Sequence, residues 1–202
     1  LQLLDSIETD AGKKQLLTKA HDNADKLARL ISELLDVSKI QSGQLVLNVQ
    51  PFKLEELLLE TTNAMQLVFP SHQIINQVTG TDFEIRADQP RVEQVLINLL
   101  SNAVKYSAPG SRVLVDLHSS DTEYTVSVQD FGTGISDTEK ESIFDRFYRA
   151  KDVSSNVTGF GLGLYICKNI IDRHQGKIWA EPQTDGTIFY FSLPKNFVEG
   201  SC

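Results

Sequence analysis

The β-rich runs of this chain come in adjacent pairs, and this restricts its fold more than any other feature. "RVLVDLHS" (112–119) is followed directly by "EYTVSVQD" (123–130), and "KIWAEP" (177–182) by "TIFYFSLP" (187–194). Strands joined by a few residues run antiparallel, whereas a parallel doubly wound sheet needs a crossover helix after each strand. Helical periodicity falls outside these pairs, at Leu54–Phe69, from about Gln89 to Tyr106, near 137–143, and from about Gly161 to His174. Further strand-like stretches lie at "QLVLNVQPF" (44–52), 73–78 and 83–86. The pattern predicts an α+β fold, a two-layer α/β sandwich, with no internal repeat.

The first part of the chain follows a different rule. Residues 1–8 read as the last turns of a helix and 9–12, "TDAG", as a turn. From Lys13 to about Gln41, Ala20, Ala24, Leu27, Ile31 and Leu34 recur at helical spacing, and Gly43 follows as a stop. A helix tail, a turn and a long helix make most of an antiparallel hairpin. Its apolar seam predicts a helical bundle with a second copy of the chain, the competing expectation being that it packs on the chain's own globular domain. The globular domain is expected to begin near Leu45.

Composition excludes several partners. With 27 acidic against 19 basic residues the net charge is −8, and no Lys/Arg block suits a nucleic-acid backbone. No apolar stretch approaches the ~20 residues of a membrane span. Cys167 and Cys202 show neither CxxC nor metal-ligand spacing, which suggests a reducing, cytoplasmic setting for this part of the protein. Leu1 follows no initiator Met or signal pattern, so the chain is expected to begin inside a longer polypeptide, one whose parent could be membrane-anchored.

Three segments carry chemistry. Asn98, Asn102 and Lys105 share one face of an otherwise apolar helix. Amide oxygens suit Mg²⁺, which keeps waters and phosphate oxygens as its other ligands, although such Asn side chains can equally satisfy backbone groups. In "VSVQDFGTGIS" (126–136) a strand ends in Asp130 and opens into Gly132, Gly134 and Ile135. There a carboxylate can accept from an adenine amine above a tightly turned backbone, or simply cap the turn. In "TGFGLGLYICKNI", Gly159, Gly161 and Gly163 precede and enter a helix whose free amides suit a triphosphate. Leu164 stands where the dinucleotide fingerprint requires Gly, and no P-loop is present. The Asp130-Phe131-Gly132 triplet lacks the upstream glycine loop, strand Lys and HRD of eukaryotic protein kinases, so it is a coincidence.

"NLLSNAVKYS" (98–107), "DFGTGI" (130–135), "IFDRFYR" (143–149) and "GFGLGL" (159–164), in that order, resemble the N, G1, F and G2 boxes of bacterial sensor histidine kinases. These belong to the wider family that includes gyrase, Hsp90 and MutL ATPases. "LARLISELLDVSKIQSGQL" (27–45) resembles the second helix of their dimerisation and phosphotransfer domain, and "IIDRHQGKIWAEPQTDGTIFYFSLP" (170–194) the end of their catalytic domain. The resemblance implies a Bergerat-type ATP-binding domain over 45–197, a partial hairpin lacking the phosphoacceptor over 1–44, and a tail at 198–202. It implies a Mg-ATP site in which Asn102 ligates the metal, Asn98 and Lys105 hold the phosphates, Tyr106 packs beside the nucleoside and Asp130 reads adenine. Gly132, Gly134, Ile135 and Thr187 would shape the base pocket, with Gly159, Gly161, Leu162, Gly163 and Leu164 beneath the phosphates. Residues 145–160 would form the ATP lid, with Phe144 and Phe147 anchoring it, and Arg146 and Arg149 either reaching the phosphates or forming surface salt bridges.

The sequence departs from the family in three places: Phe131 replaces a small or polar residue, Thr184 an additional Gly, and no His–acid–x–basic stretch is present. His21-Asp22 is followed by Asn23-Ala24 without Arg or Pro, so the acceptor is expected before Leu1 and the fragment is expected not to phosphorylate itself. The implied function is transfer of the γ-phosphoryl group to that histidine, for relay to a response regulator receiver domain, within a homodimer formed through the hairpin. The rival readings are an ATPase or serine-directed kinase of the same superfamily, and a dimerisation or docking module whose nucleotide pocket has decayed.

Overall fold

A computed structural model describes residues 11–78, 80, 82–149 and 160–197. The expected helix tail at 1–8, Gly159 with most of the expected lid, and the tail at 198–202 lie outside the described residues. The chain divides into two compact units, Leu1–Leu45 and Val46–Cys202.

The first unit contains one long helix, α1 (Ala11–Gln41). Leu27, Ile31, Leu34 and Leu35, spaced along one face, are each more than half exposed. Gly43, at φ +71°, follows the helix in the left-handed region that glycine enters without steric cost.

The second unit runs β1 (Gln50–Lys53), α2 (Leu54–Val68), β2 (Gln73–Asn76), β3 (Glu84–Ala87), α3 (Gln89–Tyr106), β4 (Arg112–Ser119), β5 (Glu123–Asp130), a 3₁₀ turn at Ser142–Phe144, α4 (Gly163–Arg173), β6 (Lys177–Gln183) and β7 (Gly186–Pro194). The principal sheet has the order β2-β4-β5-β7-β6; β1 and β3 form a separate antiparallel ribbon. Both adjacent pairs, β4–β5 and β6–β7, are antiparallel, and β2 joins β4 in parallel after the chain has passed through β3 and α3.

The helices carry the apolar faces that their spacing predicts. Val92, Val95, Leu96, Leu99, Leu100 and Ala103 of α3 are buried, as are Ile166, Cys167, Ile170 and Ile171 of α4. They share the core with the inward rows of the sheet: Val113, Val115 and Leu117; Tyr124, Val126 and Val128; Phe189, Phe191 and Leu193. Each fully buried Leu, Ile, Val or Phe contributes roughly 1.5–3 kcal/mol relative to exposure. Asp88 caps α3 by accepting from the Arg91 amide, with Pro90 in the first turn.

Three local expectations are corrected. Residues 44–49 are not strand; only Gln50–Lys53 pair, because β3 is itself four residues long. The short helix near 137–143 is a turn leading into the 3₁₀ segment Ser142–Phe144. The last helix begins at Gly163, since Gly161 has φ +69°, which a right-handed helix does not accommodate.

Candidate functional site: a buried aspartate beside the end of a helix

Asp130 is the fourth residue of an alternating inward row, after Tyr124, Val126 and Val128. The β5 register therefore places a carboxylate where the core pattern calls for an apolar side chain. Its register partners are Val113 on β4 and Thr187 on β7. Only 4% of Asp130 is exposed. Burial pushes its pKa up to about 6, although amide donors from Gly132 and Thr187 favour the ionised form; Oδ1 accepts from the Gly132 N–H at 2.9 Å.

Two glycines let the backbone close around this carboxylate. A Cβ on Gly132 would overlap the carbonyl oxygen of Tyr106, the last residue of α3, and one on Gly186 would overlap the Asp130 carbonyl. The loop after Asp130 is thereby held against the end of α3, where the Thr133 N–H also donates to the Tyr106 oxygen at 3.3 Å. Gly134 has φ +70°, and its Cβ would stand 3.0 Å from the Gly186 oxygen. Thr187 is buried and Ile135 half-buried.

The polar face of α3 lies beside the start of α4. Asn98 and Asn102 are half-buried, and a Cβ on Gly163 would stand 3.4 Å from the Asn98 Oδ1. Glycine therefore keeps space between Asn98 and the first turn of α4, whose unpaired amides favour an anion. Leu162, only 2% exposed, is a core residue, so only its backbone is available to a ligand, while Leu164 is half-buried. Lys105 Nζ stands 5.1 Å above the Tyr106 ring, and burial raises the Tyr106 hydroxyl pKa while the Arg149 guanidinium opposes that rise.

The structure thus brings Asp130, Gly132, Gly134, Thr187, Tyr106 and Lys105 together about one end of α3, with Asn98 facing Gly163 about two turns away. Phe147 is half-exposed at φ +66°, its N–H donating to the Gly161 oxygen at 3.0 Å, and the Arg146 guanidinium lies 4.5 Å from its ring centre. Glu139 was missed in the sequence. Its Oε1 accepts from the Tyr148 hydroxyl at 3.1 Å and its Oε2 from Ser136. The Ser-x-x-Glu spacing of a capping box was the available signal.

Residues 87–196 match the family described as "Histidine kinase-, DNA gyrase B-, and HSP90-like ATPase". The sensor protein KdpD of Clostridium acetobutylicum is 34% identical over 185 residues, 91% of this chain and 21% of that protein. The sensor histidine kinase WalK of Bacillus subtilis is 31% identical, over 89% of this chain and 30% of that protein. The chain thus spans less than a third of the length of these two relatives. Among solved structures, the catalytic domain of histidine kinase ThkA superposes with TM-score 0.66 at 32% identity, covering 74% of this chain and 98% of that one. ThkA in complex with response regulator protein TrrA gives 0.76 at 28% identity, over 96% of this chain and 55% of that one. The chain belongs to the family of histidine kinase-, DNA gyrase B- and HSP90-like ATPases, within which it carries an ATP-binding domain of the histidine kinase kind.

Proposed function

We propose that this chain binds Mg-ATP and presents the γ-phosphoryl group to a histidine of a sensor histidine kinase, for relay to a response regulator. The observation that carries the reading is Asp130, a buried carboxylate held by backbone amides at the end of an otherwise apolar row. A carboxylate so placed costs stability unless a ligand donates to it, and the exocyclic amine of adenine is such a donor. Gly132 and Gly134 keep the adjoining backbone free of side chains, and Tyr106 packs beside the nucleoside.

The phosphates lie toward Asn98, Lys105 and the first turn of α4. The donor set there fits a hard divalent cation: Asn98 and Asn102 present amide oxygens, and Gly163 leaves open the space that a Cβ would fill. Asn102 is the residue assigned to Mg²⁺, which when bound supplies charge neutralisation to the phosphate oxygens. Lys105 and Arg149 contribute fixed positive charge. A loose phosphoryl-transfer transition state asks the protein for positioning and electrostatics more than for covalent chemistry.

The exposed Leu27–Leu35 face of α1 supports homodimerisation through the helical arm. The complex of ThkA with TrrA supports a receiver domain as the phosphoryl recipient. Calorimetry with a non-hydrolysable ATP analogue and Mg²⁺ tests the nucleotide site: binding that is lost in Asp130→Ala is expected. Absence of binding, or equal binding in that variant, would favour a decayed pocket.

A further inference from the structure

Glu139 serves two segments at once. Its Oε2 accepts from the Ser136 amide at 3.1 Å and the Ser136 hydroxyl at 2.6 Å, while the Glu139 amide donates back to the Ser136 oxygen at 3.0 Å. This reciprocal cap fixes the exit of the loop that begins at Asp130. The other oxygen, Oε1, takes the Tyr148 hydroxyl at 3.1 Å. One carboxylate thereby yokes the adenine-side loop to the segment ending in Arg149.

That segment is pinned from its other side as well. Phe147 occupies the left-handed region at φ +66°, which is strained for a bulky residue, and its amide donates to the Gly161 oxygen. Gly161 must lack a side chain there, because its Cβ would overlap the Tyr148 carbonyl oxygen. Tyr148 is therefore fixed by its backbone against Gly161 and by its ring hydroxyl against Glu139. Arg149 follows it directly in the chain, on the side of Tyr106.

We infer that Glu139 is a positioning residue for the triphosphate end of the site: through Tyr148 it sets where Arg149 stands relative to Tyr106, and so couples the adenine loop to phosphate recognition. The inference rests on the nucleotide site proposed above. Neither Glu139 nor Tyr148 needs to touch the ligand. What they supply is a direction for the guanidinium, whose charge distinguishes a triphosphate from a diphosphate.

Tyr148→Phe is the clean variant, since it removes one hydroxyl and leaves the ring packing and the Ser136 cap in place. In the full chain with Mg²⁺, it should weaken binding of a non-hydrolysable ATP analogue about threefold, less than the full worth of a hydrogen bond to a carboxylate because Tyr148 acts on the ligand only through Arg149, and leave ADP binding nearly unchanged. Arg149→Ala should show the same selectivity, and the double variant should lose no more than Arg149→Ala alone. Amide exchange over residues 145–149 should speed up in Tyr148→Phe while the thermal midpoint holds. Equal losses for ATP analogue and ADP, additive losses in the double variant, or unchanged exchange would overturn the inference. If the unsubstituted chain binds no nucleotide, the proposed site and this inference both fall; if it binds and Tyr148→Phe is silent, only this inference does.

Discussion

At the residue scale, the buried carboxylate of Asp130 carries a stability cost of its own. Its folded pKa, about 6, lies above the usual carboxylate value of 3.8, so the folded state holds the proton more tightly than the unfolded chain. Ionised Asp130 therefore costs stability above pH 6, roughly 3 kcal/mol from the size of the shift, and the cost fades as pH falls from 6 toward 3.8. Asp130→Asn should accordingly raise the thermal midpoint of the ligand-free protein at pH 7.5, lose that advantage near pH 4, and eliminate adenine-nucleotide binding; denaturation scans across pH and calorimetry read these outcomes. For Asp130 itself, adenosine binding should weaken as pH falls below 6, where the carboxyl becomes protonated and the anionic acceptor is lost, and calorimetry across pH reads that decline. Gly132→Ala forces a methyl onto the Tyr106 carbonyl, and the fold should lose about 1–3 kcal/mol on chemical denaturation while nucleotide affinity collapses. Asp130 and the glycines were legible from the D-x-G-x-G spacing. The role of Gly186 beneath the Asp130 carbonyl was not, because only the β5–β7 register brings positions so distant in the chain together.

At the element scale, the far ends of the two site helices are tied by a buried side chain. His174, at the C-terminal end of α4, accepts the Asp88 amide on Nε2 at 3.0 Å, and its Nδ1 lies 2.8 Å from the Ile170 oxygen. With Nε2 accepting, the proton is on Nδ1 and the ring is neutral. Asp88 caps α3, and its Oδ2 accepts the Asn48 amide at 2.8 Å. Burial lowers the His174 pKa, so the unfolded chain takes up the proton first, and this residue's contribution to stability is lost as pH falls below the ordinary histidine value of 6.5. His174→Ala should cost about 2–3 kcal/mol at pH 7.5 by leaving the Asp88 amide unpaired and opening a cavity, and its deficit should narrow below pH 6 in urea titrations. Beyond the helix Gln175 takes a positive φ of 59°, and Gly176 is required because a Cβ there would overlap the Ser192 oxygen on β7.

At the scale of the whole molecule, two compact units share one chain, divided between Leu45 and Val46. A protein of residues 46–202 should unfold cooperatively and bind Mg-ATP analogue as the full chain does, yet sediment as a monomer where the full chain self-associates; retained self-association would remove the apolar face of α1 from the dimer. The fold class and the extents of α2 and α3 were legible in the sequence, as was the spacing of its Asn- and Gly-bearing segments. These follow from local periodicity, turn chemistry and residue spacing, all of which act between near neighbours. Left open until the chain is folded were the facts that Asp130 closes an apolar row, that Gly132 meets the end of α3, and that His174 takes the Asp88 amide from 86 residues away. Such contacts depend on strand register and helix packing, which bring distant positions within an ångström-scale tolerance that no spacing along the chain records.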